Sequence, residues 1–339
     1  MQVDAPFSAP FNGNIRIARR ILVLTNLSET PGQSMPPIQV IVFDLDNTLY
    51  DWVGFYIPSF LAMVRELSIL TGISEAELKA SFKKVHERHR SSEYAFGIEE
   101  LDVLRTDAAV LNTREVFERF GPAIEAFRTT RDRTLHLYDG VAETLNDLKA
   151  LNKKLVAVTD TTMYYATRRL QDLKIEQSFD MICAPADHGL PPGVSPEEAR
   201  RFSDRTRYQS NIPIQLELDR AVRKPDPGIL KGILWTTKTA PQEVLLVGDS
   251  LSKDILLAKR CGVWDVFAEY GTRVDPALYD ELLKITYWTD QDVVEEEKMR
   301  RDRIQPTFTI QSFRELTRII KKVESLPADE TRTTEPGAH

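Results

Sequence analysis

The sequence predicts an α/β protein built on a doubly wound parallel sheet, and two regularities along the chain lead to this prediction. Four short apolar segments, residues 40–43, 154–160, 179–184 and 243–249, are rich in β-branched residues and bounded by polar ones, as strands buried on both faces of a sheet are. Helical patterns such as residues 141–151 lie between them. Alternating strands and helices are typical of a parallel sheet whose site lies at the carboxyl ends of the strands.

A long helical pattern interrupts this alternation after the first strand. It covers residues 53–134 and includes the capping-box signature of Ser74 and Glu77. A helical insertion of this length predicts a separate small domain. Because it follows the carboxyl end of the first strand, we expect it to act as a cap that closes over a site.

The composition of the remaining segments predicts where the domains of the chain begin and end. Residues 189–218 contain a Pro-Pro-Gly sequence and many charges, which predicts a polar insertion made of a loop with one short helix. The predicted divisions are a flexible N-terminal extension (1–37), an α/β core (38–52 and 135–326), the all-helical cap (53–134) and a disordered tail (327–339).

The overall composition favours a protein that acts on small molecules. The 339 residues are 42% hydrophobic, carry a formal net charge of −7 and have a pI near 5.5. Lysine and arginine are outnumbered and scattered, so the sequence shows no electrostatic footprint for nucleic acid. No apolar run in the sequence predicts a membrane span, and we expect a cytoplasmic protein without a membrane partner.

Carboxylates follow two of the predicted strands. Asp44 and Asp46 end the first strand, and because they are two residues apart they would point to the same side of an extended chain. Two carboxylates held that close repel each other unless a cation lies between them or one keeps its proton. Asp249 ends the last of the four strands and Asp254 follows five residues later. The sequence therefore predicts a bound cation.

Four ordered motifs contain these residues. They are Asp44-Leu-Asp-Asn-Thr48, a strand ending at Thr159, Lys224 within Arg-Lys-Pro-Asp-Pro, and Gly-Asp249 with Asp254. In this form and order they resemble the haloacid dehalogenase (HAD) superfamily of hydrolases over roughly residues 38–320. The helical insertion resembles the first cap type of that superfamily, and the resemblance implies a Rossmann-like catalytic core.

The residue types also suit chemistry on phosphate esters. A phosphate monoester is a dianion, so a carboxylate can attack it only if cations cancel the repulsion. We expect Asp249 and Asp254 to join Asp44 in holding Mg²⁺, a hard ion that takes oxygen ligands. The resemblance implies that the backbone carbonyl of Asp46 binds the metal as well, which leaves the Asp46 side chain available for proton transfer.

The expected catalytic roles follow from this arrangement. Asp44 would attack phosphorus and form an aspartyl-phosphate, and Asp46 would protonate the leaving alcohol and later deprotonate the attacking water. Thr159 and Lys224 would stabilise the transferring phosphoryl oxygens. At position 160, where many relatives have Asn or Gly, the Asp would contact substrate hydroxyls or face away. The residues predicted to contact substrate are Asn47, Asp160 and Thr161.

These expectations define a Mg²⁺-dependent phosphatase that acts on a small phosphorylated metabolite, such as a nucleotide, flavin mononucleotide or sugar phosphate. The resemblance implies that dehalogenases lack the second carboxylate, so Asp46 favours phosphatase or phosphomutase chemistry. A phosphomutase would need further groups from the cap. The third alternative is a non-enzymatic member that binds a metabolite or a protein.

Overall fold

The computed structural model describes residues 36–104, 113–190, 209–288, 294 and 304–327. Two units are distinguished along the chain, and the fold below is that of the unit Ser34–Leu326. The other unit comprises Met1–Gln33 and Pro327–His339, of which only Pro327 is described. The predicted extension and tail therefore lie outside the described residues, except at their edges.

Seven parallel strands form one sheet in the order β4-β3-β2-β1-β5-β6-β7. The chain moves outward from β1 to β4 and then returns to β5 on the other side of β1, which is the doubly wound arrangement that the sequence predicts. The strands are β1 (Val40–Phe43), β2 (Lys154–Val158), β3 (Met181–Pro185), β4 (Ile214–Leu218), β5 (Val244–Gly248), β6 (Trp264–Ala268) and β7 (Phe308–Ile310).

Helices cover both faces of this sheet because successive strand residues point to opposite sides. In β1, Ile41 and Phe43 join one apolar cluster, while Val40 and Val42 join a second. The first cluster includes α4, α5 and α9, and the second includes α6 and α7. Within the described residues the α-helices are α1 (Trp52–Thr71), α2 (Glu75–His89), α3 (Thr113–Thr134), α4 (Val141–Ala150), α5 (Met163–Asp172), α6 (Pro227–Thr237), α7 (Leu256–Cys261), α8 (Pro276–Ile285) and α9 (Leu316–Glu324).

The insertion between β1 and β2 is helical, as the sequence predicts. Helix α1 begins at an Asp51 cap, whose Oδ1 accepts from the Gly54 amide at 2.7 Å. The predicted capping box of α2 is confirmed, because Ser74 and Glu77 each accept from the other's backbone amide. Helices α1 and α3 pack against each other, and their apolar residues continue the first cluster of the sheet.

Helix α1 is apolar enough to meet a length and hydropathy criterion for crossing a membrane. Its most apolar window has a mean hydropathy of 1.4, yet the helix packs against α2, α3 and α8 and buries eight residues. A core helix of a globular protein meets the same criterion, so the criterion by itself is weak evidence for a membrane span. The expectation that the chain has no membrane partner stays a prediction.

Two strands were not anticipated from the sequence. Strand β4 lies at the end of the stretch predicted to be a polar loop with a short helix, and residues 191–208 of that stretch lie outside the described residues. The loop prediction was wrong for residues 214–218 because an edge strand needs little apolar surface, and Gln215 and Glu217 are exposed there. Strand β6 was missed because buried Asp265 interrupts its apolar run.

Candidate active site

The carboxyl ends of β1 and β5 lie side by side at the point where the strand order reverses. Asp44 follows β1, and its amide donates to the Val247 carbonyl of β5 at 2.9 Å. Asp249 follows β5 directly. Ligands of open α/β sheets bind in the crevice at this position. The topology therefore explains why residues 205 positions apart meet in one site.

Asp254 reaches the same place through a short π-helical turn, Leu251–Ile255, of the kind often found at functional sites. Its side chain is buried over Gly248, where any Cβ would overlap the carboxylate. The Oδ2 atom accepts from the Ser250 amide at 3.1 Å. The glycine before Asp249 is thus required by the close approach of Asp254.

One oxygen from each of Asp44, Asp249 and Asp254 lies within 4.8 Å of the other two. Burial, followed by the charge of Asp254, raises the pKa of Asp249 to about 7. Burial also raises the pKa of Asp44, despite the opposing effect of Lys224. Two buried carboxylates and one half-buried carboxylate, which repel one another and offer only oxygen donors, fit a hard divalent cation such as Mg²⁺.

Lys224 lies between two of these carboxylates. Its Nζ donates to Asp44 Oδ1 and, at 2.7 Å, to Asp254 Oδ1. Burial alone would lower the pKa of Lys224, but Asp254 and Asp44 raise it well above its usual range. The side chain therefore stays protonated and places a fixed positive charge beside Asp44.

Asp160 holds the backbone that carries Lys224 in place. Its Oδ1 accepts from the Lys224 amide at 3.0 Å, and its carbonyl accepts from the Arg223 guanidinium at 2.9 Å. Burial raises the pKa of Asp160, but Lys253 and Lys224 more than offset this and hold it below its usual value. The Asp160 carboxylate thus supports the backbone of the Lys224 loop, and its expected contact with substrate hydroxyls stays a prediction.

Asp46 stands apart from the carboxylate cluster. Its Oδ2 accepts from the Thr161 hydroxyl at 2.7 Å, and its Oδ1 accepts from Arg169 Nη1 at 3.0 Å. Arg169 also pairs with Glu93, which belongs to the helical insertion. Sequence reasoning missed this pair, although Arg169 follows Ala166 by three positions and so lies toward the buried face of α5.

The other predicted site residues make contacts within the chain. Asn47 adopts a left-handed φ of 58°, and its Oδ1 accepts from the Trp52 amide at 3.0 Å where α1 begins. The Thr159 hydroxyl accepts from the Thr161 amide at 3.0 Å and is buried. Both arrangements fix the loops that surround Asp46.

The turn that follows β6 packs against the loop that contains Asn47. The Tyr270 hydroxyl donates to the Thr48 carbonyl at 2.6 Å. A Cβ at Gly271 would overlap the Asn47 carbonyl oxygen. Neither residue was singled out from the sequence because the strand that leads to the turn was not recognised.

Comparisons with known proteins agree with this geometry. A family model described as haloacid dehalogenase-like hydrolase matches residues 38–262, and a second model of HAD-like hydrolases matches residues 221–316. A phosphoglycolate phosphatase of Pseudomonas putida is 26% identical over 236 residues, which are 69% of this chain and 70% of that protein. A phosphoglycolate phosphatase of Vibrio vulnificus is 27% identical over 238 residues, or 69% and 85% of the two chains.

Solved structures are similar over most of the chain. A 2-haloacid dehalogenase from Pseudomonas syringae has a TM-score of 0.49 at 16% identity and covers 84% of this chain and 99% of its own. A HAD phosphatase from Thermococcus onnurineus has a TM-score of 0.47 at 17% identity, with coverage of 83% and 97%. Because the first family model matches well over half of the sequence, with all four motifs inside the matched residues, this chain belongs to the haloacid dehalogenase-like hydrolases.

Proposed function

We propose that this chain is a Mg²⁺-dependent phosphatase that hydrolyses a small phosphorylated metabolite through an aspartyl-phosphate on Asp44. The observation that carries the proposal is the separation of two kinds of carboxylate. Asp44 lies with Asp249, Asp254 and Lys224, whereas the Asp46 side chain is held elsewhere by its own hydrogen-bond donors. A nucleophile and a separate acid are what phosphoryl transfer to and from a carboxylate requires.

Asp44, Asp249 and Asp254 would hold the metal ion, which supplies positive charge that offsets the repulsion between a phosphate dianion and the carboxylates. Lys224 adds a permanent positive charge beside Asp44. Asp44 forms a bond to phosphorus as the bond to the leaving oxygen breaks, and Asp46 gives its proton to that oxygen. Asp46 then takes a proton from the water that hydrolyses the aspartyl-phosphate.

The helical insertion, residues 53–134, is proposed to be a cap that excludes water from the site and selects the leaving group. Two observations support this role: the insertion leaves the sheet beside the site at Asn47, and its residue Glu93 approaches Arg169 of the core. The relatives named phosphoglycolate phosphatase add a small phosphorylated carboxylic acid to the candidate substrates, beside nucleotides, flavin mononucleotide and sugar phosphates.

Phosphate release tests the proposal. We expect the chain to hydrolyse p-nitrophenyl phosphate in Mg²⁺, and to lose this activity in chelator and in the Asp44→Asn variant. The same assay on a panel of phosphoglycolate, nucleoside monophosphates, flavin mononucleotide and sugar phosphates would identify the substrate class. If none of these esters releases phosphate in the presence of Mg²⁺, the proposal is contradicted and a binding role is favoured.

A further inference from the structure

The buried ion pair between Arg169 and Glu93 connects the helical insertion to Asp46. Arg169 lies on α5 of the core, and Glu93 lies in the segment that follows α2 of the insertion. Their side chains are only 5% and 12% exposed. Ion pairs this deeply buried are costly to desolvate and are weak evidence for a gain in stability. The position of the pair therefore calls for another explanation.

The guanidinium of Arg169 is fixed from several directions. One nitrogen donates to Asp46 and the other to Glu93, so each carboxylate receives a different arm of the same planar group. The rings of Phe55, Tyr165 and Tyr50 lie 5.0, 5.9 and 6.0 Å from its central carbon. A guanidinium enclosed in this way has little freedom to turn.

This arrangement also fixes the carboxylate of Asp46. Its two oxygens accept from different donors, one from Arg169 and one from the Thr161 hydroxyl, so rotation of the carboxylate would break both hydrogen bonds. A group that transfers a proton must hold the reacting oxygen in a narrow range of positions. Without Arg169, Oδ1 of Asp46 would lose this charged donor, and the Thr161 hydrogen bond to Oδ2 would remain.

We propose that Arg169 and Glu93 are positioning residues that align Asp46 with the leaving oxygen, and that Glu93 makes this alignment depend on the placement of the cap. The inference rests on the proposed function, in which Asp46 donates the proton. Neither residue gains or loses a proton in the reaction. Arg169 orients the donor, and Glu93 orients Arg169.

Two aryl esters test the proposal. Phenyl phosphate and p-nitrophenyl phosphate have similar shapes, but phenolate is a much poorer leaving group and depends more on protonation by Asp46. The parameter to compare is kcat/KM, which covers the steps through aspartyl-phosphate formation and excludes the later hydrolysis that both esters share. In Arg169→Met we expect kcat/KM for phenyl phosphate to fall about tenfold to a hundredfold further than for p-nitrophenyl phosphate.

Companion variants separate positioning from folding. Arg169→Lys keeps the charge and should recover part of the kcat/KM for phenyl phosphate that Arg169→Met loses. Glu93→Gln keeps the size of the side chain. It should also lower kcat/KM for phenyl phosphate more than for p-nitrophenyl phosphate, but by a smaller factor than Arg169→Met. The matched control is Arg168→Met, because Arg168 lies on the same helix and pairs instead with Asp172 at 2.6 Å. We expect this control to leave the ratio of the two esters unchanged.

The outcomes distinguish this inference from the proposed function. Equal losses on both esters in Arg169→Met and Glu93→Gln, with an active wild type that needs Asp44, would overturn the positioning role and leave the phosphatase intact. If Arg169→Met shows no cooperative melting transition, the near-isosteric Glu93→Gln variant decides the question alone. A wild type that releases phosphate from neither ester, nor from the metabolite panel, would overturn both proposals.

Discussion

Lys224 carries the most constrained charge of the candidate site. Its ammonium group is buried between Asp44 and Asp254, so its removal leaves both carboxylates without this positive charge. The Lys224→Met variant should therefore lower kcat/KM for p-nitrophenyl phosphate by about 10²–10³-fold, the usual cost of losing one preorganised charge in a site of this kind.

The matched control for this variant is Lys231→Met, because Lys231 is exposed on α6 just beyond the Lys224 loop. It should retain the wild-type rate. A Lys224→Met protein that folds normally and keeps more than one tenth of the wild-type kcat/KM would show that its charge is dispensable. Thermal melting of both variants provides the check on folding.

Gly271 is a second position where a single atom should matter. A Cβ there would overlap the Asn47 carbonyl oxygen and crowd the Asp249 side chain at 2.8 Å. We expect Gly271→Ala to displace the loop that carries Asp46 and Asn47, to reduce kcat/KM more than about tenfold and to destabilise the fold by roughly 1–3 kcal/mol.

Gly121→Ala provides the comparison, because a Cβ at this position within α3 would meet no atom within 4 Å. That variant should be neutral or stabilised by about 0.5–1 kcal/mol. Chemical denaturation and turnover of the two variants give the measurement. Equal stability and activity in both would mean that the turn after β6 does not support the Asn47 loop.

The sequence predicted residues that carry charge at strand ends better than residues that act through packing. Asp44, Lys224, Asp249 and Asp254 come together because each follows an apolar strand or opens a helix, which a linear pattern reveals. The Arg169–Glu93 pair joins positions 76 residues apart in two different parts of the fold. No local periodicity encodes such a pairing, so only the folded chain reveals it.

At the scale of elements, helix α2 meets α8 through a buried histidine. His86 is 2% exposed, and its Nδ1 lies 2.6 Å from the Ile285 carbonyl oxygen, so it donates in its neutral form. Burial lowers the pKa of His86 to about 4. The unfolded chain has the ordinary histidine pKa of about 6.5 and binds a proton first as the pH falls.

The sign of the pH dependence follows from this difference. Between pH 6.5 and 4 the unfolded state holds more protons at His86 than the folded state, so stability contributed by the neutral side chain is present above pH 6.5 and is lost on acidification. Between pH 7 and pH 5 we expect this residue to account for a loss of about 2 kcal/mol.

The measurement is the free energy of unfolding of wild type and His86→Gln at both pH values. The variant has no titrating group at this position, so its stability should fall by about 2 kcal/mol less than that of wild type between pH 7 and 5. Taking the difference between the two proteins removes the contributions of other titrating groups, such as Glu99, whose pKa burial raises to about 7. Parallel pH profiles would contradict the assignment.

Elements were predicted with uneven success for a physical reason. Strands β1, β2, β3 and β5 are covered by helices on both faces and read as continuous apolar runs. Strand β4 has exposed residues at the edge of the sheet, and β6 buries Asp265 against the Thr307 amide at 2.6 Å and the Lys259 ammonium group at 3.2 Å. A polar residue that is satisfied by tertiary contacts looks like a loop residue in the sequence.

At the scale of the whole molecule, the doubly wound topology concentrates negative charge at one place. The carboxyl ends of β1 and β5 bring Asp44, Asp249 and Asp254 together, with Lys224 as the cation that donates hydrogen bonds to two of them. The folded chain therefore contains a cluster whose carboxylates repel one another. Binding of a divalent cation should relieve this repulsion, and because the unfolded chain has no such cluster, the ion should stabilise the folded state.

We expect Mg²⁺ at about a hundred times its Kd to stabilise the chain by about 2.7 kcal/mol, which corresponds to a rise in Tm of roughly 5–10 °C. Calorimetry in MgCl₂ and in NaCl of equal ionic strength would measure this effect independently of turnover. Asp147→Asn, at an exposed position of α4, should respond like the wild type. A rise of equal size in Asp249→Asn would show that the ion binds elsewhere.

Asp249→Asn should also separate loss of the ion from damage to the fold. Burial and the charge of Asp254 raise the pKa of Asp249 to about 7, which means that the folded chain disfavours the ionised carboxylate. Replacing it by a neutral amide removes a repulsive charge, so in chelator this variant should melt at or above the temperature of the wild type. If it instead melts well below the wild type in chelator, Asp249 contributes to the fold through contacts other than a metal ion, and the loss of a Mg²⁺ response in the variant would no longer identify the ligand.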